Sequence, residues 1–192
     1  KKVKVQQLPA MVIQMILRRA EARFPKVRRS ELEKDEVIKK LAPLGLRDLQ
    51  KLLRELGISE MALAFSQINR SATRAILNRL NNADSKELRA RIKKAAGKKL
   101  PEQREAQLHI LELDLEKLSP EEMVQEIGFG VFSRAFGKSD HALGEYFVHR
   151  FPPKQGYVLR RYLDENTPQN TGAKITRTRE RILDALTRIV RG

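Results

Sequence analysis

The 192-residue chain carries 39 Lys and Arg against 24 Asp and Glu, a formal net charge of +15, and it contains no cysteine. The absence of cysteine excludes disulfides, thiol nucleophiles and Cys-ligated zinc. A positive excess of this size favours acidic partners, whether nucleic acid, anionic lipid or an acidic protein surface. The length is sufficient for one hydrophobic core or two small adjoining cores. No apolar run approaches the roughly 18 residues of a membrane span.

Residues 1–43 are predicted to form a pair of N-terminal helices. The first follows Pro9 and ends before Pro25, with an apolar stripe on one side and basic residues on the other. In the second, Ser30 and Glu33 have the spacing of a capping box. The inward stripe of the first helix is predicted to contain Val12, Ile13, Ile16, Leu17, Ala20 and Phe24.

Residues 44–118 are predicted to form five short helices, because their apolar residues recur at helical spacing without the alternation typical of strands. The first of these is predicted to end at Gly57. The fourth is predicted to begin at Asp84, because Glu87 follows three residues later as in a capping box. The predicted inward residues of the fifth helix are Leu108, Leu111 and Leu115.

The remaining residues, 119–192, are predicted to form a second helical unit that repeats the first. Ser119 and Glu122 have the spacing of a capping box, and a proline lies in the first turn. A shift of about 83 residues lays segment 68–81 on segment 151–164, with apolar residues superimposed. The pairs superimposed by this shift include Gly45 with Gly128 and Ile76 with Leu159.

A longer match begins in the sequence LRDLQKLLRELGISEMALAF, which starts at Leu46. It coincides without a gap with a family run of the form DDRSIQRVLREVDxxxLALALKGA. The matching residues are Arg47, Gln50, Leu53, Arg54, Glu55, Ala62, Leu63 and Ala64. That run belongs to the C-terminal domain of the flagellar motor switch protein FliG, which this part of the chain therefore resembles.

The resemblance implies an all-α fold built as an armadillo-like helical-repeat superhelix, with two tandem FliG-like units after the N-terminal helix pair. It implies a scaffold that binds other proteins, flagellar basal-body components among them, and not an enzyme. It also implies self-association and a cytoplasmic location at the basal body on the inner membrane.

One feature of the family is altered in this sequence. FliG proteins carry a charged helix with an acidic pair that meets the stator, and here the acidic pair falls on Ala90 and Arg91. Basic residues replace it, namely Lys86, Arg89, Arg91, Lys93, Lys94, Lys98 and Lys99. We therefore expect this cluster to bind a partner with an acidic surface, as a divergent FliG-like paralogue would. The same pattern is equally typical of a solvated face with no partner.

Nucleic-acid binding by a basic helical repeat is the alternative function. Contacts from several Lys and Arg residues to phosphates would give binding that falls steeply with salt. However, Phe and Tyr are not interleaved with the basic residues, as base-stacking platforms would require. Protein binding is therefore the preferred interpretation.

No cofactor and no metal is predicted. The sequence GKS at 137–139 lacks the glycine that a phosphate loop requires five positions before its second glycine, because that position is Phe132. His141, Glu145 and His149 share one helix face at four-residue spacing, but they do not form an HExxH motif. No Ser/His/Asp arrangement is present, so enzyme activity is not expected.

Overall fold

The computed structural model describes residues 27–33, 35–66, 68, 70–95, 102–114 and 117–191. Regular structure in these residues is entirely helical, which confirms the predicted all-α class. The α-helices are α1 (Arg29–Glu33), α2 (Glu36–Leu41), α3 (Leu46–Phe65), α4 (Arg70–Leu77), α5 (Asn82–Ala95), α6 (Glu102–Leu111), α7 (Pro120–Ser133), α8 (His141–Val148), α9 (Pro153–Asn166) and α10 (Gly172–Arg191). No helix in this part of the chain is long and apolar enough to cross a membrane.

The predicted helix break at Gly57 is wrong, because α3 continues without interruption from Leu46 to Phe65. Gly57 instead marks the place where α3 crosses α7. A Cβ atom at position 57 would overlap the carbonyl oxygen of Val124 and lie 3.0 Å from its carbonyl carbon. The glycine is therefore required by the close approach of two backbones and not by a helix end.

Gly128 of α7 meets α3 in the same way. A Cβ atom there would overlap the carbonyl oxygen of Leu53 and lie 2.8 Å from its carbonyl carbon. The contacts pair Gly57 with Val124 and Leu53 with Gly128, so the two helices run antiparallel. This crossing forms the centre of the molecule, and the other helices pack around it.

Two hydrophobic clusters lie on either side of the crossing. The first contains the N-terminal half of α3 and the C-terminal half of α7, together with residues of α2, α8, α9 and α10. The second contains the opposite halves of α3 and α7, with residues of α4, α5 and α6. Both clusters therefore include residues from the predicted units 44–118 and 119–192. Packing is continuous across residue 118, while the division into units stays a prediction.

The predicted inward stripe of α6 is wrong. Leu108 and Leu111 are 52% and 79% exposed, while Ala106 and Ile110 are buried. Polar side chains set this rotation, because the Gln103 amide donates to the Ser66 hydroxyl at 2.8 Å near the end of α3. Leu115 lies outside the described residues.

The helix caps follow the sequence in one case and depart from it in another. Ser119 and Glu122 form the predicted capping box at the start of α7. At the start of α5, by contrast, it is Asn81 that accepts the backbone N–H of Asp84, at 2.8 Å. Asp84 is only 4% exposed, and its carboxylate binds the Arg54 guanidinium of α3. The predicted cap is therefore a buried ion-pair partner.

The proposed duplication agrees with part of the helix pattern. The shift lays the end of α3 on the end of α8 and the start of α4 on the start of α9. However, it lays Gly45, which has open space around it, on Gly128 at the helix crossing. The duplication and the armadillo-like arrangement stay predictions. The first predicted helix, at residues 9–24, lies outside the described residues.

Candidate functional site

The outer side of α5 carries basic side chains with no acidic partner. Lys86, Arg89, Lys93 and Lys94 are all exposed. None of them forms an ion pair with a carboxylate in the described part of the chain. Spacings of three and four residues place Lys86, Arg89 and Lys93 on one side of the helix. Lys94 lies about 100° further round the helix than Lys93, and we call the four exposed residues together the α5 basic face.

The carboxylates of α5 point the other way. Asp84 and Glu87 both bind Arg54 of α3, with an Arg54 Nη2–Glu87 Oε2 distance of 2.9 Å. Glu87 also binds Arg91 on the next turn. Since both acidic side chains of this helix are occupied by arginines, neither neutralises the α5 basic face.

Arg91 differs from the exposed residues of the predicted basic cluster, because it points towards α3. Its guanidinium donates to Glu55 at 2.7 Å and to the Ser59 hydroxyl at 2.6 Å, both on α3. Burial alone would lower the pKa of Arg91, but its pairing with Glu55 and Glu87 raises it. Arg91 therefore fixes α5 to α3 within the molecule. Of the other predicted residues, Lys98 and Lys99 lie outside the described residues.

Two buried glutamates of α3, neither of them predicted from the sequence, form ion pairs with arginines of other elements. Glu55 also binds Arg188 of α10 at 2.5 Å, and it is 6% exposed. Glu60, 1% exposed, binds Arg134 at 2.8 Å and Arg181 of α10 at 2.5 Å.

Glu60 is ionised in this setting although its side chain is almost entirely buried. Burial alone would raise the pKa of Glu60, but the guanidinium groups of Arg181 and Arg134 hold it well below its usual range. Glu55 therefore connects α3 to α5 and α10, while Glu60 connects α3 to α10 and to Arg134, the residue that follows α7. A buried glutamate in an amphipathic helix has no signature in a single sequence, since Glu residues normally occupy the solvated side.

Glu145, the central residue of the predicted histidine arrangement, forms an ion pair with Arg160. Glu145 accepts hydrogen bonds from both sides of the Arg160 guanidinium, one of them at 3.0 Å from Nε. His149 Nε2 lies 3.7 Å from Glu145 Oε2. In the residues that the structure describes, no group of three or more His, Asp or Glu side chains is arranged to hold a metal ion.

The GKS sequence at 137–139 lies in a short turn. Gly137 precedes a 3-10 helix at Lys138–Asp140, and its N–H donates to the Asp140 carboxylate at 2.9 Å. A phosphate loop presents free backbone N–H groups to an anion. At this turn the N–H of Gly137 is already bound by the Asp140 carboxylate.

No protein-family model, no curated protein and no solved structure matches this chain. The resemblance to FliG therefore stays a prediction that depends on the residues given above for it.

Proposed function

We propose that this chain is a non-catalytic, FliG-like helical-repeat scaffold that binds acidic surfaces of other proteins through the α5 basic face. The observation that supports this most directly is the contrast within α5. Arg91 points inward and binds three side chains, while the residues of the α5 basic face have no acidic partner in the described residues. Unpaired charges of one sign on one helix side attract a complementary partner and repel similarly charged ones.

A protein partner is favoured over nucleic acid by the positions of the aromatic side chains. The phenylalanines of the described part are buried, and Tyr157, which is 71% exposed, lies on α9 and not on α5. Single-stranded nucleic-acid binding commonly combines cations with aromatic stacking platforms. The α5 basic face offers cations without such platforms.

The assembly that we propose for this scaffold is a bacterial flagellar or motor-associated one, on the cytoplasmic side of the inner membrane. This step depends on the FliG-like run that begins at Leu46. The change from an acidic pair to Ala90 and Arg91 supports a paralogue whose partner contact has been rewired towards an acidic surface.

The experiment compares two charge-reversal variants in affinity capture from the source bacterium, with quantitative mass spectrometry. The first variant converts the four residues of the α5 basic face to Glu. The second is a matched control with the same change in net charge at four exposed cations elsewhere, Lys39, Arg47, Arg104 and Lys138. We expect the first to lose specific partners, including motor components, and the control to keep them. Equal losses in both, or none in either, would refute the proposal.

Nucleic-acid binding is tested separately by fluorescence anisotropy with RNA and DNA at near-physiological salt. We expect no submicromolar binding. Submicromolar binding that is weakened equally on all sequences by Lys93→Glu and Lys94→Glu would replace the scaffold with the nucleic-acid alternative.

A further inference from the structure

A cleft of about 480 Å³ opens between the end of α3, helix α4 and helix α5. We call it the α4–α5 cleft. It is large enough for several side chains of a partner. Its lining includes Phe65, Ile68, Leu77, Arg89, Ile92 and Lys93.

The floor of the cleft is apolar. Phe65 and Leu77 are buried in the second hydrophobic cluster, and Ile68 and Ile92 pack against that cluster while remaining partly exposed. One polar group of the lining is already used, because the Ser66 hydroxyl donates to Leu63 O and accepts from Gln103, both at 2.8 Å. A ligand that covers the floor must therefore bring apolar side chains.

The rim of the cleft is cationic. Arg89 and Lys93 of the α5 basic face stand on one side, and Arg74 of α4 stands on the other. All three are exposed, and none is paired with a carboxylate in the described part of the chain. Arg89 and Lys93 are one turn apart, about 6 Å along the helix axis. Two carboxylates at i and i+4 of a second helix have the same separation.

The chain's own N-terminal residues are a poor match for this rim. Residues 1–26 contain seven Lys and Arg against one Glu. Like charges placed at the rim would repel. Charge complementarity therefore favours an acidic occupant from another protein.

We infer that the α4–α5 cleft binds an acidic amphipathic helix of a partner protein, with apolar side chains on the floor and carboxylates at the rim. This inference deepens the proposed function, on which it depends, by naming the partner segment. The mode is that of a helix lying in a groove, with apolar anchors that set affinity and charges that set orientation.

The probe is a fluorescent helical peptide of about 15 residues, with Leu at i, i+3 and i+7 and with Glu at two other positions, four residues apart, beside this Leu stripe. A control peptide keeps every Glu and replaces each Leu by Ser. We expect the chain to bind the Leu peptide at near-physiological salt and the Ser peptide at least about tenfold more weakly. Equal binding of the two peptides would overturn the cleft, because attraction to the α5 basic face alone would explain it.

The protein variants locate the site. Reversal of the three rim cations (Arg74→Glu, Arg89→Glu and Lys93→Glu) is expected to weaken the Leu peptide about tenfold or more. The matched control reverses three cations away from the cleft, at Lys39, Arg47 and Lys138, and should change affinity by less than about twofold. All six side chains are exposed, so neither variant should impair folding.

A second measurement avoids charge reversal altogether. Because the chain has no cysteine, Lys93→Cys and Lys138→Cys each give one attachment point for an environment-sensitive dye. The dye at 93 should respond to the Leu peptide and the dye at 138 should not. Equal responses, or none at 93, would overturn the inference.

Other occupants give distinct results. Tighter binding of a single-stranded DNA of equal charge, lost in the rim variant, would replace the peptide with nucleic acid. Self-association in sedimentation that the rim variant abolishes would replace it with a second copy of the chain. Failure of both peptides, while affinity capture still depends on the α5 basic face, would overturn the cleft and leave the scaffold proposal standing.

Discussion

Substitution of Gly57 by Ala tests the helix crossing at the centre of the molecule. Inside an ordinary helix this change is stabilising by about 1 kcal/mol, because Ala has the higher helix propensity. Here the added methyl group would overlap the carbonyl oxygen of Val124 and lie 3.0 Å from its carbonyl carbon. The obstructing atoms belong to the backbone of α7, so a change of side-chain rotamer cannot relieve the overlap.

The two effects oppose each other, and the overlap should dominate. Overpacking of a core costs about 1–3 kcal/mol, and a backbone obstruction belongs at the upper end of that range. After subtraction of the helix-propensity gain, the free energy of unfolding should fall by about 2 kcal/mol. Gly128→Ala should behave in the same way, since its methyl group meets the backbone of Leu53.

The assay is urea denaturation followed by far-UV circular dichroism. With a slope of about 1–3 kcal/mol per molar urea, the midpoint should fall by about 1 M while the slope is unchanged. Gly172→Ala is the matched control, because nothing lies within 4 Å of a Cβ atom at that position. If Gly57→Ala is as stable as Gly172→Ala or the unmodified chain, the close crossing of α3 and α7 is incorrect.

Two further predictions concern charge. Glu60→Gln should lower the free energy of unfolding by about 3 kcal/mol, because it leaves Arg134, 8% exposed, without a charged partner. Glu33→Gln is the control, because it breaks an exposed ion pair. It should change the free energy of unfolding by less than about 0.5 kcal/mol. Denaturation curves of the two variants that coincide would contradict this. The Glu122 carboxyl, bonded to Lys154 and to the Ser119 backbone, has its pKa lowered to about 2 from 4.5. Its contribution to stability is therefore present above pH 4.5 and is lost as the pH falls towards 2. NMR titration should show this midpoint in the unmodified chain and a higher one in Lys154→Ala; equal midpoints would exclude the ion pair.

The helical class follows from sequence because it depends on periodicity, which each segment carries in its own residues. The capping box at Ser119 and Glu122 is local in the same sense. The break predicted at Gly57 is wrong because the reason for that glycine lies in another helix, 67 residues along the chain at Val124. A single sequence does not distinguish a glycine that ends a helix from one that admits a neighbour.

In the candidate site, too, some positions follow from local spacing and others depend on a distant residue. Exposure of Lys86, Arg89 and Lys93 follows from their helical spacing. The inward position of Arg91 does not, because it is determined by Glu55, which a local pattern places on the solvated side of α3. The exposed positions of Leu108 and Leu111 have a similar cause, since hydrogen bonds from glutamines near them fix the rotation of α6.

The sharing of α3 and α7 between both hydrophobic clusters has a consequence for how this protein can be divided. A cut near residue 118 would separate α3 from α7, so each cluster would lose one of its two central helices. Each fragment would then expose a large apolar surface to water. We therefore expect the molecule to unfold in one transition, and neither half to fold by itself when moved into another protein.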